Sequence, residues 1–306
     1  MDEVWLKMFD YPHLAALAAV LREGSFERAA RGLGITPSAV SQRIRALEER
    51  VGATLVVRSQ PPVATEAGAR LCAHLERVRL LEGEVAADLP GLGGPEAGPV
   101  TLNVAVNADS LGSWFLPAVA RFAEATGALV HLTREDEEHT ARRLRRGEVL
   151  AALTTEPIPL PGCRTRPLGA LRYAACASPA FLRRHFAQGV TPQALARAPV
   201  LQFDANDGLQ ARWLRQQFDL PLTAPAHRVP STQGFLDACQ AGLGWALQPL
   251  PLAAGMIESG ALVELLRGRY LDVPLHWQHV RLGSPLLERL TKEVVAEART
   301  RLIALR

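Results

Sequence analysis

A segment rich in glycine and proline, PGLGGPEAGP at residues 90–99, divides this chain into two parts with different hydrophobic patterns. Before the segment, apolar residues recur at helical spacing. After it, short apolar runs typical of buried strands alternate with helical segments. The segment itself has no periodicity, so we interpret it as an interdomain hinge. The sequence therefore predicts a helical N-terminal domain followed by an α/β domain with mostly parallel sheets.

The composition narrows the class of protein. Of 306 residues, 48% are hydrophobic and 21% are charged, which excludes disordered and collagen-like chains. The net charge of +3 does not by itself indicate a nucleic-acid or membrane partner. The N-terminus lacks a basic region followed by an apolar stretch, and no apolar run approaches the roughly 20 residues of a membrane span. We therefore expect a cytoplasmic protein with no membrane partner.

Three short helices are indicated by capping signals before residue 53. Ser25 precedes the second helix, and Thr36 precedes the third, in which Pro37 occupies the first position, where its missing N–H costs nothing. Gly34 supplies the turn between these two helices, and Gly52 ends the third. Three helices joined by a tight glycine turn form the helix-turn-helix arrangement.

Two short strands and a long helix are predicted next. Residues 55–57 and the region of Val63 flank a Pro-Pro corner and indicate a wing. Thr65 then precedes an amphipathic segment interrupted by Glu82, which we interpret as a dimerising linker helix. Its heptad-like stripe consists of Leu71, Leu75, Val78, Val85 and Leu89. The alternative is a surface helix packed on its own domain.

The third helix carries the candidate DNA-reading residues on the face opposite its apolar stripe. Short hydroxyls let a helix enter the major groove, glutamine bonds bidentately to adenine, and arginine binds guanine or phosphate. Residues 1–68 contain eight basic and eight acidic residues, so any basic surface must be local. The alternative is an ordinary solvated helix face. The candidate DNA-binding residues are Ser25, Thr36, Pro37, Ser38, Ser41, Gln42, Arg45 and Arg58.

These residues lie in a run that resembles a known family. The sequence GSFERAARGLGITPSAVSQRIRALEERVGATLVVR resembles the N-terminal domain of LysR-type transcriptional regulators. The similarity continues through VNADS at 106–110, ED at 135–136, RRGEV at 145–149 and PSTQGF at 230–235. In these segments the chain resembles the branch typified by ArgP and LysG, regulators of basic amino-acid export.

The resemblance implies a domain organisation and a set of partners. Residues 1–66 would form a winged helix-turn-helix domain, and residues 67–98 the linker helix and hinge. Residues 99–306 would form a two-lobed, periplasmic-binding-protein-like (type II) effector domain, with lobe I at about 99–167 and 276–306 and lobe II at about 168–275. The implied partners are double-stranded DNA, an amino-acid effector such as lysine or arginine, further copies in a dimer or tetramer, and RNA polymerase. No cofactor is implied.

An effector site is expected in the crevice between the lobes, at the carboxyl ends of the strands. We expect Ser110 to begin a helix whose N–H groups bind the effector's carboxylate. The ammonium groups would bind carboxylates among Asp109, Asp136 and Asp204. Each acid can instead cap a helix or turn, an interpretation that we favour for Asp207. The candidate effector-binding residues are Asn107, Asp109, Ser110, Asp136, Thr154, Asp204, Ser231 and Thr232.

The sequence leaves three alternative functions. An enzyme is disfavoured because the chain lacks a G-x-S-x-G elbow, an H-E-x-x-H helix, a P-loop and a G-x-G-x-x-G fingerprint, and its histidines lack paired metal spacing. A regulator could sense another metabolite, or thiol oxidation through Cys163, Cys176 or Cys239. The four cysteines include no C-x-x-C pair, so we expect reduced structural thiols. An architectural role on DNA without an effector is the remaining alternative.

Overall fold

The computed structural model describes residues 9–89, 99–135 and 142–305. The predicted hinge at 90–98 and the candidate residue Asp136 lie outside the described residues. Within the described part of the chain, no helix has both the length and the apolar character needed to cross a membrane.

The N-terminal domain has the predicted winged helix-turn-helix arrangement. Ser25 Oγ accepts a hydrogen bond from the backbone N of the residue three positions later, and Thr36 Oγ1 caps the next helix in the same way. Gly52 ends that helix with a left-handed φ of 71°, as predicted. The elements are helices α1 (Tyr11–Glu23), α2 (Phe26–Gly32) and α3 (Pro37–Val51), followed by the antiparallel strands β1 (Val56–Val57) and β2 (Val63–Ala64).

The long helix α4 (Glu66–Asp88) begins after Thr65, whose Oγ1 accepts a hydrogen bond from the backbone N of Gly68. Leu75 is buried in the core of the N-terminal domain, whereas Leu80 is buried in the core of the following domain. The predicted apolar stripe is therefore divided, because Leu75 packs inside the chain. Toward the C-terminal end of the helix, three large apolar side chains stay exposed, and these are Leu81, Val85 and Leu89.

The second domain alternates strands and helices, and a further helical turn lies at residues 142–145. Its first half contains β3 (Thr101–Asn107), α5 (Ala108–Ser113), α6 (Leu116–Thr126), β4 (Leu129–Glu135), β5 (Ala151–Thr154) and β6 (Cys163–Ala177). Its second half contains α7 (Pro179–His185), α8 (Pro192–Leu195), β7 (Val200–Gln202), α9 (Leu209–Phe218), β8 (Ala226–Arg228), α10 (Thr232–Gln240), β9 (Ala246–Pro249), α11 (Leu250–Glu258), β10 (Val263–Glu264), β11 (Tyr270–Val280) and α12 (Pro285–Arg301).

Two long strands, β6 and β11, connect the two lobes of this domain. The strand order of the main sheet is β10-β6-β11-β5-β3-β4, with β9 also paired to β6. The beginning of β6 and the end of β11 lie with β3, β4 and β5 in lobe I, whereas their other halves lie with β9 and β10 in lobe II. The register of this pair shifts between Leu275 and His276, close to the predicted boundary between the lobes.

The predicted direction of the strands was only partly correct. Strand β3 is parallel to β4 and β5, and β7 is parallel to β8. However, β11 is antiparallel to both β5 and β6, and β9 and β10 are antiparallel to β6. The expectation of mostly parallel sheets was wrong for these pairs, because β6 and β11 run in opposite directions as the two crossings between the lobes.

The apolar pattern of residues 110–125 predicts one helix, whereas the structure has two, α5 and α6. The break follows from Pro117, which lacks the N–H that a continuous helix needs and instead lies in the first turn of α6. Trp114 and Phe115 at the break are fully buried. Helix α5 starts at Ala108, so the expectation that Ser110 begins a helix was wrong.

Helix α4 also packs against lobe I. Glu84 Oε1 accepts hydrogen bonds from Ser284 Oγ at 2.5 Å and from the backbone N of Leu286 at 3.0 Å, at the start of α12. Closer to the wing, Glu76 Oε2 accepts from Asn103 Nδ2 at 2.7 Å. The helix is thus attached both to the helix-turn-helix core and to the effector domain, so it connects the two.

Candidate functional site

The predicted DNA-reading face of α3 lies on the surface. Ser38, Gln42 and Arg45 are exposed, and Ser41 is partly exposed. The opposite face of the helix is buried through Val40, Ile44 and Leu47. Thr36 and Pro37 are exposed at the start of the helix. The amphipathic pattern therefore leaves the polar residues free to enter a groove of DNA.

The wing contributes a positively charged side chain, Arg58, to the same domain. The Arg58 guanidinium lies over the Phe26 ring, 5.7 Å from its centroid, and Phe26 directly follows Ser25, the N-cap of α2. Arg58 and the N-terminus of α2 are therefore neighbours. Cationic side chains and free helix N–H groups are the donors that bind DNA phosphates and fix the register of a protein on DNA.

A second polar site lies in a cavity between the two lobes. Asp109 contributes from α5 in lobe I, and the other lining residues come from lobe II. These lining residues are Asp109, Phe203, Asp207, Leu209, Gln210, Thr232, Phe235, Leu247, Gln248 and Pro249. The walls are largely apolar, and both lobes are needed to form the cavity, as expected of an effector site in such a domain.

Asp109 of lobe I accepts a hydrogen bond from a residue of lobe II. The hydroxyl group of Tyr173, in the lobe II half of β6, donates a hydrogen bond of 2.8 Å to Asp109 Oδ2. Burial raises the pKa of Asp109 to about 6, because a charged carboxylate loses its hydration in the cavity. The Tyr173 hydrogen bond lowers this pKa, and the charge of Asp207 raises it.

Asp207 is the second carboxyl group of the cavity. Its Oδ2 accepts a hydrogen bond from the backbone N of Phe203 at 2.8 Å, and its Oδ1 accepts from the backbone N of Leu209 at 3.1 Å. Burial nevertheless raises its pKa, and the nearby charge of Asp204 adds to this shift. No cationic side chain lines the cavity among the described residues. Two partly buried carboxyl groups without a cation form a site that favours a positively charged ligand.

Thr232 lies where helices α5 and α10 approach each other at the cleft. It lines the cavity from the start of α10, and a Cβ added to Gly112 of α5 would lie 3.3 Å from its Cγ2. Ser231 is the N-cap of α10, with its Oγ accepting from the backbone N of Gly234. The structure thus places Thr232 in the cavity, while the Ser231 hydroxyl group caps the helix.

The other predicted effector residues that the structure describes do not line the cavity. Ser110 is fully buried, and neither its Oγ nor Asn107 Oδ1 has a hydrogen-bond partner in the part of the chain that the structure describes. Thr154, at the end of β5, is buried and accepts from the backbone N of Glu156. Asp204 Oδ1 accepts from the backbone N of Asn206 within its own turn.

Sequence reasoning missed several residues of this site. Tyr173 lies in a strand that the pattern did not reveal, and Asp207 was interpreted as a turn residue, which it also is. Gln210 and Gln248 are almost completely buried, on α9 and β9 respectively. A glutamine within the otherwise apolar run WALQP was the feature that could have pointed to Gln248.

The cysteines lack the features of a redox sensor. Cys176 and Cys239 are fully buried, and Cys239 Sγ donates to the backbone oxygen of Cys176 at 3.3 Å. Burial raises the pKa of Cys239 to about 12 and also raises that of Cys176 and Cys163. Because the thiolate is the reactive form, these thiols are poor candidates for oxidation sensing. Within the described ranges, no three His, Cys, Asp or Glu residues cluster as metal ligands.

Comparison with known proteins relates both parts of the chain to one family. Residues 12–69 match the profile of the bacterial regulatory helix-turn-helix proteins of the lysR family. Residues 95–299 match the profile of the LysR substrate binding domain. The chain is 45% identical over 289 residues to the HTH-type transcriptional regulator LysG of Mycobacterium tuberculosis, covering 94% of this chain and 93% of that protein.

Solved structures show the same relationship. The crystal structure of ArgP from Mycobacterium tuberculosis is 43% identical and superposes with a TM-score of 0.81, over 97% of this chain and 100% of that one. Full-length LysG from Corynebacterium glutamicum with bound effector Arg is 40% identical, with a TM-score of 0.73, over 96% of this chain and 100% of that one. The similarity therefore extends across the DNA-binding and effector domains together.

Proposed function

This chain belongs to the LysR family of helix-turn-helix transcriptional regulators, and from this premise we propose that its effector is a basic amino acid, lysine or arginine. The observation that carries the proposal is the pair of partly buried carboxyl groups, Asp109 and Asp207, in one cavity between the lobes. The arginine bound to LysG of Corynebacterium glutamicum supports the same ligand class for this relative.

The lining of the cavity has the chemistry that both parts of a basic side chain need. The cavity has a volume of only about 50 Å³, room for one or two water molecules, so the lobes must separate to admit an amino acid. Phe203, Phe235 and Leu247 provide apolar walls for an aliphatic stem, and the two carboxylates provide the negative charge. Asp109 belongs to lobe I and Asp207 to lobe II, so a cation that binds both favours one arrangement of the lobes. A ligand with different affinity for two arrangements shifts the equilibrium between them, which is the physical basis of regulation.

The DNA-bound form is proposed to be a homodimer or homotetramer on a pseudo-palindromic site, acting with RNA polymerase in the cytoplasm. The exposed apolar residues of α4, Leu81 and Val85, support a second copy packing on this helix. A groove beside the start of the same helix is lined by Phe9, Val51, Ala67 and Leu71 together with Glu66, Arg70 and His74. The proposed target is a divergently transcribed gene for a basic amino-acid exporter.

DNA binding by the purified full-length chain tests this function. Fluorescence anisotropy would be measured with the intergenic DNA beside its own gene, with and without lysine or arginine. We expect specific binding whose affinity or protected region changes with the basic amino acids and not with leucine or glutamate. The Asp109→Asn variant should bind the DNA but lose the response. Absence of specific binding under every ligand condition would refute the proposal.

A further inference from the structure

Phe203 connects the acidic cavity with a cation at the edge of the cleft. Its backbone N donates to Asp207 Oδ2 at 2.8 Å, and its ring lines the cavity beside Phe235. On the same ring lies the guanidinium of Arg134, whose Cζ is 5.9 Å from the ring centroid. A single residue therefore contacts both an acid of the cavity and an arginine outside it.

Arg134 reaches this position from lobe I. It lies near the end of β4, where its Cα is opposite Val106, two residues before α5 begins. Phe203 follows β7 in lobe II, so the contact between Arg134 and Phe203 spans the cleft. The Arg134 side chain is exposed, and no ion pair joins it to an acid whose side chain the structure describes. Its guanidinium thus lies at the mouth of the cavity.

A basic amino acid needs such a charge, since it carries an α-carboxylate as well as cationic groups. Ser110 does not provide the expected helix N-terminus for this carboxylate. Helix α5 begins two residues earlier, at Ala108, and has only 6 residues. At α10, Ser231 Oγ already accepts from the backbone N of Gly234. Thr232 offers a neutral hydroxyl group. Of the described side chains that touch the lining of the cavity, Arg134 offers a positive charge that no described acid neutralises.

We infer that Arg134 binds the α-carboxylate of the effector, while the cationic end of its side chain binds Asp109 and Asp207. This inference rests on the proposed function. A guanidinium binds a carboxylate through two parallel hydrogen bonds, which fixes the ligand's orientation as well as its charge. The flexible four-carbon stem of lysine would then lie along Phe203, between the two charged ends. Arg134 thereby selects amino acids over their decarboxylated amines.

Isothermal titration calorimetry with lysine and with 1,5-diaminopentane, its decarboxylated counterpart, tests the inference on the full chain. The wild type should bind lysine more tightly than the diamine. Arg134→Gln should weaken lysine binding by about tenfold to a hundredfold, the usual effect of losing hydrogen bonds to a charged group, and leave diamine binding unchanged. The lysine affinity of Arg134→Lys should lie between those of the wild type and Arg134→Gln. Arg183→Gln, an exposed arginine on α7, serves as the matched control and should behave as the wild type.

Two results would overturn the role of Arg134 while leaving the proposed function intact. One is Arg134→Gln binding lysine as tightly as the wild type does. The other is an equal loss of lysine and diamine binding, since a merely structural role would affect both ligands. If the wild type binds no basic amino acid at all, the proposed function itself fails, and the role of Arg134 fails with it.

Discussion

Tyr173 and Asp109 join the two lobes through a hydrogen bond of 2.8 Å between the phenolic hydroxyl group and Oδ2. Tyr173 is fully buried in β6, and Asp109 lies in the first turn of α5. A donor to a carboxylate favours its charged form, so Tyr173 counteracts part of the burial that raises the pKa of Asp109. The bond therefore links lobe arrangement to the charge of the cavity.

Replacing Tyr173 with phenylalanine should weaken effector binding. Without its donor, Asp109 has a still higher pKa and is no longer held in one orientation, so we expect about a tenfold loss of lysine affinity at pH 7. Calorimetry measures this directly. Tyr270→Phe, on β11 near Glu264 and away from the cavity, is the control. Unchanged lysine affinity in Tyr173→Phe would show that the bond does not support the site.

Effector affinity should depend on pH. The pKa of Asp109 is raised to about 6, so this carboxyl group is charged at pH 8 and largely protonated at pH 5. A cationic ligand prefers the charged form, so lysine affinity should be nearly constant above pH 7. It should fall by up to about tenfold per pH unit below pH 6. Lysine itself does not change charge in this range. Equal affinity at pH 5 and pH 8 would contradict this assignment.

Asp109 should lower the free energy of unfolding of the effector-free protein. Its pKa rises from 3.8 to about 6 on folding, so the folded state binds the proton more readily. This free-energy cost is complete at pH values above the pKa of Asp109 in the folded state. It disappears as the pH falls below the pKa of Asp109 in the unfolded state. Asp109→Asn should therefore stabilise the ligand-free protein at pH 8 by about 1–3 kcal/mol, less at pH 5. Thermal unfolding at both pH values checks this, and a destabilised variant at pH 8 would refute it.

Local signals explain why the DNA-binding domain could be predicted from the sequence. Ser25, Thr36 and Gly52 act within three or four residues of their own positions, and each has the predicted role. Helix boundaries that depend on such neighbours are encoded locally. The same local reasoning would have separated α5 from α6 at Pro117, which lies in the first turn of α6; the apolar periodicity across residues 110–125 concealed this break.

The effector cavity depends on contacts between distant residues, which periodicity does not show. Asp109 was predicted from its place after a strand, but its partner Tyr173 lies 64 residues away in a strand shared by both lobes. Asp207 was correctly interpreted as a turn residue. However, the turn it forms with Phe203 also faces the cavity, and only the packing of the lobes reveals this second role.

Removing the Glu84 carboxylate should loosen the linker helix from lobe I. Glu84 Oε1 accepts from Ser284 Oγ and from the backbone N of Leu286, at the N-terminus of α12, where a negative charge is favourable. We expect Glu84→Ala to destabilise the protein by about 1–2 kcal/mol, as the loss of a helix cap does. Glu82→Ala, on the exposed side of the same helix, is the control. Equal unfolding midpoints for the two variants would argue against the contact.

The wing and the recognition helix should contribute differently to DNA binding. Arg58→Ala removes a proposed phosphate contact, so it should weaken binding to all sequences and reduce the salt dependence of log K by about one. Gln42→Ala removes a proposed base contact, so it should cost about 1–3 kcal/mol on the specific site only. Anisotropy titrations of specific and unrelated DNA at several salt concentrations distinguish the phosphate contact from the base contact. A loss of sequence preference in Arg58→Ala would reverse these roles.

Calorimetric titration of the ligand-free wild type with lysine, arginine, leucine and glutamate tests the central claim most directly. The acidic cavity predicts saturable binding of one lysine or arginine per chain, no binding of glutamate or leucine, and loss of binding in Asp109→Asn. Binding of glutamate or leucine as tight as that of lysine would contradict the account. Unchanged lysine binding in Asp109→Asn would contradict it equally, because the cation would then bind elsewhere.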